Sequence, residues 1–246
     1  MKISINKSNI DDIPVIEYIY PKAEKLLFLQ HGIHSKKENV MNLYGLTLAK
    51  LGYHVIALDA YKHGARLEEP FLSKDKDQCA LETMDVVSHT ANDIKDIYHK
   101  YYQKSYETFD VIGISMGGLI AYFLSTITKN IDQLVALISS PQFLEAANYT
   151  FPEERQEQHK AQSDKVLKTV KKMDPSTKVE AMRFSRLIIF NGIYDEVIPF
   201  EQSEMFYENH PELPIIFKRY KTEHKINQEM FEDLQMYLKE TFKEKA

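Results

Sequence analysis

Phe109-Asp110-Val111-Ile112-Gly113-Ile114-Ser115-Met116-Gly117-Gly118-Leu119-Ile120 is the stretch on which the fold turns. Phe109 to Ile112 has the short, apolar, β-branched character of a buried strand, and Leu119 to Ile127 that of a buried helix. Ser115 stands between them, with Gly113 and Gly117 two positions away on either side. A strand that passes abruptly into a helix leaves the residue at the bend strained and exposed. Bulky side chains at the flanking positions would collide with the backbone of both elements. Flanked by a strand on one side and a helix on the other, these five residues predict a sharp elbow with a serine hydroxyl at its tip.

Outward from the elbow, short β-rich runs alternate with longer helical patterns, which predicts an α/β fold with a mostly parallel sheet and helices on both faces. Residues 13–20 alternate loosely and read as part of an antiparallel N-terminal hairpin. Compact apolar runs at 26–29, 55–58, 109–112, 134–138, 187–190 and 215–217 read as buried parallel strands. Met84, Val87, Ala91, Ile94, Tyr98 and Tyr101 follow steps of three and four and predict one apolar stripe on a helix. Met230, Phe231, Leu234, Tyr237, Leu238 and Phe242 do the same for the last helix, with Asn227 as its N-cap.

The stretch from Pro141 to Ser185 breaks this rhythm. It is long, charged and helical in character, and reads as an insertion between two strands, a helical cap on a single domain spanning 1–246. Thr150 and Glu153 form a capping-box pair at a predicted helix start, and Asp174-Pro175 stops a helix whose apolar edge is Val166, Leu167, Val170 and Met173. The lysines among these positions read as a solvated face.

Bulk composition narrows the function classes. A net charge of −5 offers no field for holding phosphate backbones, so no nucleic-acid partner is expected. The single cysteine, Cys79, cannot close an internal disulfide, and the first residues lack the apolar core of a signal peptide. The uncharged stretch from Val111 to Thr128 is interrupted by glycines, serines and threonines, so a strand feeding a helix explains it better than a membrane span. These features read as a cytoplasmic protein with a small-molecule substrate and no membrane partner.

A serine hydroxyl is a poor nucleophile until a base takes its proton, so a histidine and a carboxylate should accompany it. Where such an elbow sits on an α/β sheet, the chain order is serine, acid, histidine. Asp195 lies in a loop just past the strand at 187–190, with Glu196 beside it as the runner-up acid. Of nine histidines, His224 has the matching address, after the last strand pattern and before the C-terminal helix. His89, His99, His159 and His210 read as surface residues. The oxyanion of a tetrahedral intermediate needs donors. Met116 would offer its N–H from the start of the helix, and Ile33 is the candidate second donor, with Gly32 and His34 as near alternatives.

With these residues in place the chain resembles the α/β-hydrolase superfamily, most of all the small bacterial serine esterases of the dienelactone-hydrolase and prolyl-oligopeptidase-like branch. The resemblance spans nearly the whole chain. It rests on His31-Gly32, on Asp59 with His63-Gly64, on Gly113 to Gly117, on Gly192 to Pro199 and on His224. It implies an eight-stranded sheet, a triad of Ser115, Asp195 and His224, an oxyanion hole at Ile33 and Met116, and a cap at 141–185. Two departures weigh against protease and true dienelactone hydrolase: the chain has no room for an N-terminal propeller, and serine replaces the cysteine nucleophile. A carboxylesterase acting on small esters without a cofactor is therefore expected, with a thioesterase or acyltransferase as the alternative use of the same triad. Two further readings stay open: a metal held by His31, His34, Asp59 and His63, and a hydrolase scaffold used only for binding.

Overall fold

Eight strands form one sheet in the order β1-β2-β4-β3-β5-β6-β7-β8. They are β1 (Ser4–Ile10), β2 (Ile13–Ile19), β3 (Lys25–Gln30), β4 (Tyr53–Leu58), β5 (Phe109–Ile114), β6 (Ile131–Leu137), β7 (Arg186–Gly192) and β8 (Ile215–Tyr220). The computed structural model describes residues 2–67, 76–150 and 160–243. β1 and β2 form the expected antiparallel hairpin, β2 pairs antiparallel with β4, and every later pairing is parallel. β3 and β4 are buried along their whole length, which is why they read as unbroken apolar runs without alternation.

The two faces of the sheet are covered separately. Leu26, Phe28, Val111, Leu134 and Ile189 face α3 (Lys76–Ile97), α4 (Met116–Ser125), α5 (Phe143–Thr150), α6 (Lys160–Met173) and α7 (Phe200–Asn209). Leu27, Leu29, Ile112, Val135 and Phe190 face α1 (Lys37–Val40), α2 (Leu46–Lys50) and α8 (Gln228–Lys243). At roughly 1.5–3 kcal/mol for each large apolar side chain buried, these two layers hold the strand ends rigidly enough to support strained turns.

Several predicted boundaries move by a few residues, and three local readings change. Met84, Val87, Ala91, Ile94 and Tyr98 are buried as expected, but Tyr101 is 45% exposed. The helix passes into a π turn at Tyr98–Tyr102. Its wider turn carries Tyr101 off the stripe, so that its hydroxyl donates to Asp11. Thr150 is the last residue of α5 rather than the cap of a new helix, because α5 begins at Phe143; Pro152 and Glu153 lie outside the described residues. His210 is half-buried, its ring packed on Phe206 at 4.7 Å. The C-terminal helix is capped as expected, with Asn227 Oδ1 accepting from the Met230 N–H at 2.8 Å. Asp174 ends α6 and accepts from the N–H groups of Ser176 and Leu144, tying that end to the start of α5. No helix among the described residues is long and apolar enough to cross a membrane.

Candidate active site

Ser115 sits between β5 and α4 with φ 55° and ψ −117°, a left-handed backbone that a serine adopts only under constraint. Such a conformation costs on the order of 1–3 kcal/mol. The flanking glycines are required by close approach. A Cβ at Gly113 would lie 2.1 Å from the Gly117 carbonyl oxygen, and one at Gly117 would lie 2.4 Å from that of Gln30. The elbow is held by Ser115 N–H donating to the Leu137 carbonyl at 2.9 Å, and by Gly118 N–H donating to Ser115 O at 2.7 Å.

Two loops bring the other predicted residues to this hydroxyl. His224 follows β8 and Asp195 follows β7, and the strands lie side by side in parallel. His224 Nε2 stands 2.9 Å from Ser115 Oγ, and His224 Nδ1 stands 2.7 Å from Asp195 Oδ2. The second carboxylate oxygen of Asp195 accepts from the N–H groups of Val197 and Ile198, each at 2.9 Å. Those bonds fix the carboxylate plane. They also assign the imidazole protons, since Nδ1 faces an acceptor and must donate, leaving Nε2 to accept from the serine. The Asp195 side chain is fully buried while that of His224 is 23% exposed, so proton exchange with solvent is open at the histidine. Glu196, the runner-up acid, is exposed.

The loop after β3 lies against the elbow: a Cβ at Gly32 would be 3.4 Å from the Ser115 Cβ. His31 is fully buried and bonded at both ring nitrogens, Nδ1 to the Gly32 carbonyl at 2.8 Å and Nε2 to the Ala60 N–H at 3.0 Å. Burial pushes its pKa down from 6.5 to about 4, with the Gly32 carbonyl acting in the opposite direction. The imidazole is thus neutral and cross-links the loops after β3 and β4. Lys37 makes a second cross-link, donating from its backbone N–H and its ammonium to Asp59 at 3.0 and 2.7 Å, while Ala65 N–H donates to the same carboxylate at 2.9 Å. Burial alone would raise the Asp59 carboxyl, but these donors hold it below its ordinary value.

That network accounts for residues that the sequence left open to a metal. Both nitrogens of His31 and both carboxylate oxygens of Asp59 are already taken by protein donors or acceptors. His63 Nδ1 donates to the Tyr61 carbonyl at 3.0 Å, and His34 is exposed. Among the described residues, no group of three or more His, Cys, Asp or Glu side chains is disposed to hold an ion. Phe143 is buried in the core and Leu144 packs against it; Phe151 and the Tyr149 side chain lie outside what is described.

The family model for serine aminopeptidase, S33, matches residues 21–186. The chain belongs to this family. The match takes in the His31-Gly32 loop and the Ser115 elbow and ends before Asp195 and His224. This S33-family chain is 24% identical over 225 residues to the Bacillus subtilis (strain 168) protein named "Putative esterase YitV", with 84% of each chain covered. The structure of TT1662 from Thermus thermophilus superposes with a TM-score of 0.79 at 20% identity, covering 98% of each chain. The Pyrococcus furiosus esterase Pf2001 gives 0.67 at 17% identity, covering 99% of this chain and 91% of that one. At such identities the two structures speak to fold alone, and that fold is the α/β-hydrolase fold. Its membership of the S33 family makes the chain a hydrolase.

Sequence reasoning passed over residues that only the structure brings to the site. Asn191, Ser139 and Ser203 gather behind the elbow, and single polar residues in separate elements carry no periodic signal.

Proposed function

We propose that the chain is a serine hydrolase that cleaves small carboxylic esters through an acyl-enzyme intermediate. The observation that carries this reading is the continuous line of hydrogen bonds from Ser115 Oγ through His224 to Asp195. His224 Nε2 takes the Ser115 proton as Oγ attacks the ester carbonyl, and Asp195 stabilises the imidazolium that results. The imidazolium returns the proton to the departing alkoxide. Water, deprotonated by His224, then attacks the acyl carbon, and the imidazolium returns that proton to the departing Ser115 Oγ. The oxyanion is received by the N–H groups of Met116, at the first turn of α4 where amides lack intrahelical acceptors, and of Ile33. In this reading the described helices of the expected cap, α5 and α6, contribute to the acyl and alcohol pockets. The steps use a small-molecule substrate and need no cofactor.

A fluorophosphonate probe tests the assignment. Wild type should be labelled at Ser115, and Ser115→Ala should lose both labelling and ester hydrolysis by several orders of magnitude. Full esterase activity in Ser115→Ala would overturn the reading.

The name of the family favours one second reading, amide hydrolysis, because the same proton transfers expel an amine. The same array also serves thioester cleavage and acyl transfer. Matched ester, thioester and amide substrates sharing one acyl group, with and without an added alcohol acceptor, separate these by kcat/KM.

A further inference from the structure

Asn191 and Ser203 stand on either side of Asp195, one on the strand before it and one on the helix after it, and both reach the same atom. Asn191 Nδ2 donates to the Ser139 carbonyl at 3.3 Å, and Ser203 Oγ donates to it at 3.1 Å. All three residues are fully buried. Ser139 lies two residues beyond Leu137, whose carbonyl accepts the Ser115 N–H. Between them Ile138 has φ 47°, costly for a β-branched residue. Its N–H donates to the carbonyl of Phe190, the neighbour of Asn191, at 2.7 Å. Two strained residues, Ser115 and Ile138, therefore lie side by side past the ends of β5 and β6. The segment that carries Asp195 grips the second of them.

We propose that Asn191 and Ser203 are positioning residues that set the placement of Asp195 relative to Ser115 by a route that does not pass through His224. The proposal rests on the reading of Ser115, His224 and Asp195 given above. The β6–β7 pairing and the Ile138 bond to Phe190 already tie the strand before Asp195 to the elbow, and the clamp extends that tie to both sides of Asp195, so the line from Ser115 through His224 to Asp195 does not depend on an imidazole that must carry a proton to and from Ser115. The clamp fixes the two ends of that line in advance, as preorganised catalysis requires.

Fold stability alone is a poor account of these residues. Asn191 Oδ1 and Ser139 Oγ are buried with no hydrogen-bond partner among the described residues. An apolar side chain at Asn191 would avoid stranding an acceptor, which typically costs about 1–3 kcal/mol. What Asn191 and Ser203 supply in common is two donors converging on the Ser139 carbonyl from the two sides of Asp195.

The test compares Ser203→Ala, Asn191→Leu and their combination with Ser203→Thr, which keeps a hydroxyl donor. The combined variant should lose kcat by about tenfold to a hundredfold, the scale of a small misplacement of catalytic groups, with KM little changed. Ser203→Thr should keep most of the activity. A second readout needs no substrate: the downfield proton resonance of His224 Nδ1, which reports its bond to Asp195, should move upfield in the combined variant and stay in Ser203→Thr. If the combined variant does not fold, the two single variants serve, each removing one of the two bonds. Wild-type kcat and an unmoved His224 resonance in folded variants would overturn the clamp. Failure of the underlying reading looks different: Ser115→Ala would stay active while the resonance still responds to Asn191 and Ser203.

Discussion

Gly192 passes so close to the loop that carries His224 that a Cβ placed on it would lie 2.4 Å from the Thr222 carbonyl oxygen and 2.7 Å from that of Glu223. The backbone follows suit, with Ile193 N–H donating to Tyr220 O at 2.9 Å and Tyr194 N–H to Thr222 O at 3.0 Å. This approach seats Asp195 beside His224. Gly192→Ala should therefore force the two loops apart. The expected result is a folded protein with kcat reduced by roughly a hundredfold or more, seen in ester hydrolysis at saturating substrate alongside an unchanged far-UV circular dichroism spectrum.

The two amides on Asp195 make the outcome of Asp195→Asn specific. Val197 and Ile198 N–H both donate to Oδ1, so the asparagine oxygen must occupy that place and its NH2 must face His224 Nδ1. The imidazole then carries its proton on Nε2, toward Ser115, and cannot act as a base. A loss of about 10⁴ in kcat is expected, the scale of a wrong tautomer in such an array. Exposed Glu196 makes the control: Glu196→Gln should stay near wild type in the same assay.

The sheet and the elbow were legible because their signals are local. Continuous apolar runs mark strands buried on both faces, and two glycines around a serine mark a bend with no room for side chains. That Asp195 and His224 would meet Ser115 was legible by address, just past strand ends and in the expected order. What escaped was set by distance in space or by small changes of helical pitch. The π turn at Tyr98–Tyr102 alters the register of a stripe that reads as regular. The link from His31 to Ala60 joins residues 29 apart, so a histidine that reads as oxyanion loop or metal ligand proves to be a buried cross-link. The grip of Asn191 and Ser203 on Ser139 depends on three elements meeting, and no spacing announces it.

Lys37 offers a prediction about the loop that holds Ile33. Its ammonium, nearly buried, is the charge that offsets the Asp59 carboxylate. Burial by itself would lower the lysine, yet its bond to Asp59 keeps it above its ordinary value. Lys37→Met leaves a buried carboxylate with only backbone donors, a change that typically costs about 3–5 kcal/mol. Urea denaturation should show that loss. Lys37→Met combined with Asp59→Asn should recover much of it, since the uncompensated charge is then gone.

Two buried groups should pull stability in opposite directions across mildly acidic pH. His31 has a folded pKa near 4 against an ordinary 6.5. Between those values the unfolded chain binds more protons, so the His31 contribution is present at neutral pH and is lost as pH falls through the window. Asp110, fully buried where it accepts from Tyr53 and Gln133, is pushed by burial from 3.8 up to about 6, with nearby Lys25 acting against that rise. Between those values the folded chain binds more protons, so Asp110 weakens the fold as pH rises through the window. Each shift is on the order of 3 kcal/mol, and in wild type they largely offset each other. Removing one should expose the other. Asp110→Asn should make stability fall more steeply than wild type on acidification from pH 6.5 to 4.5, and His31→Gln should flatten or reverse that slope. Urea midpoints at the two pH values, taken as differences from wild type so that the remaining titrating groups cancel, decide it. Parallel slopes in all three proteins would show that neither group titrates differently on folding.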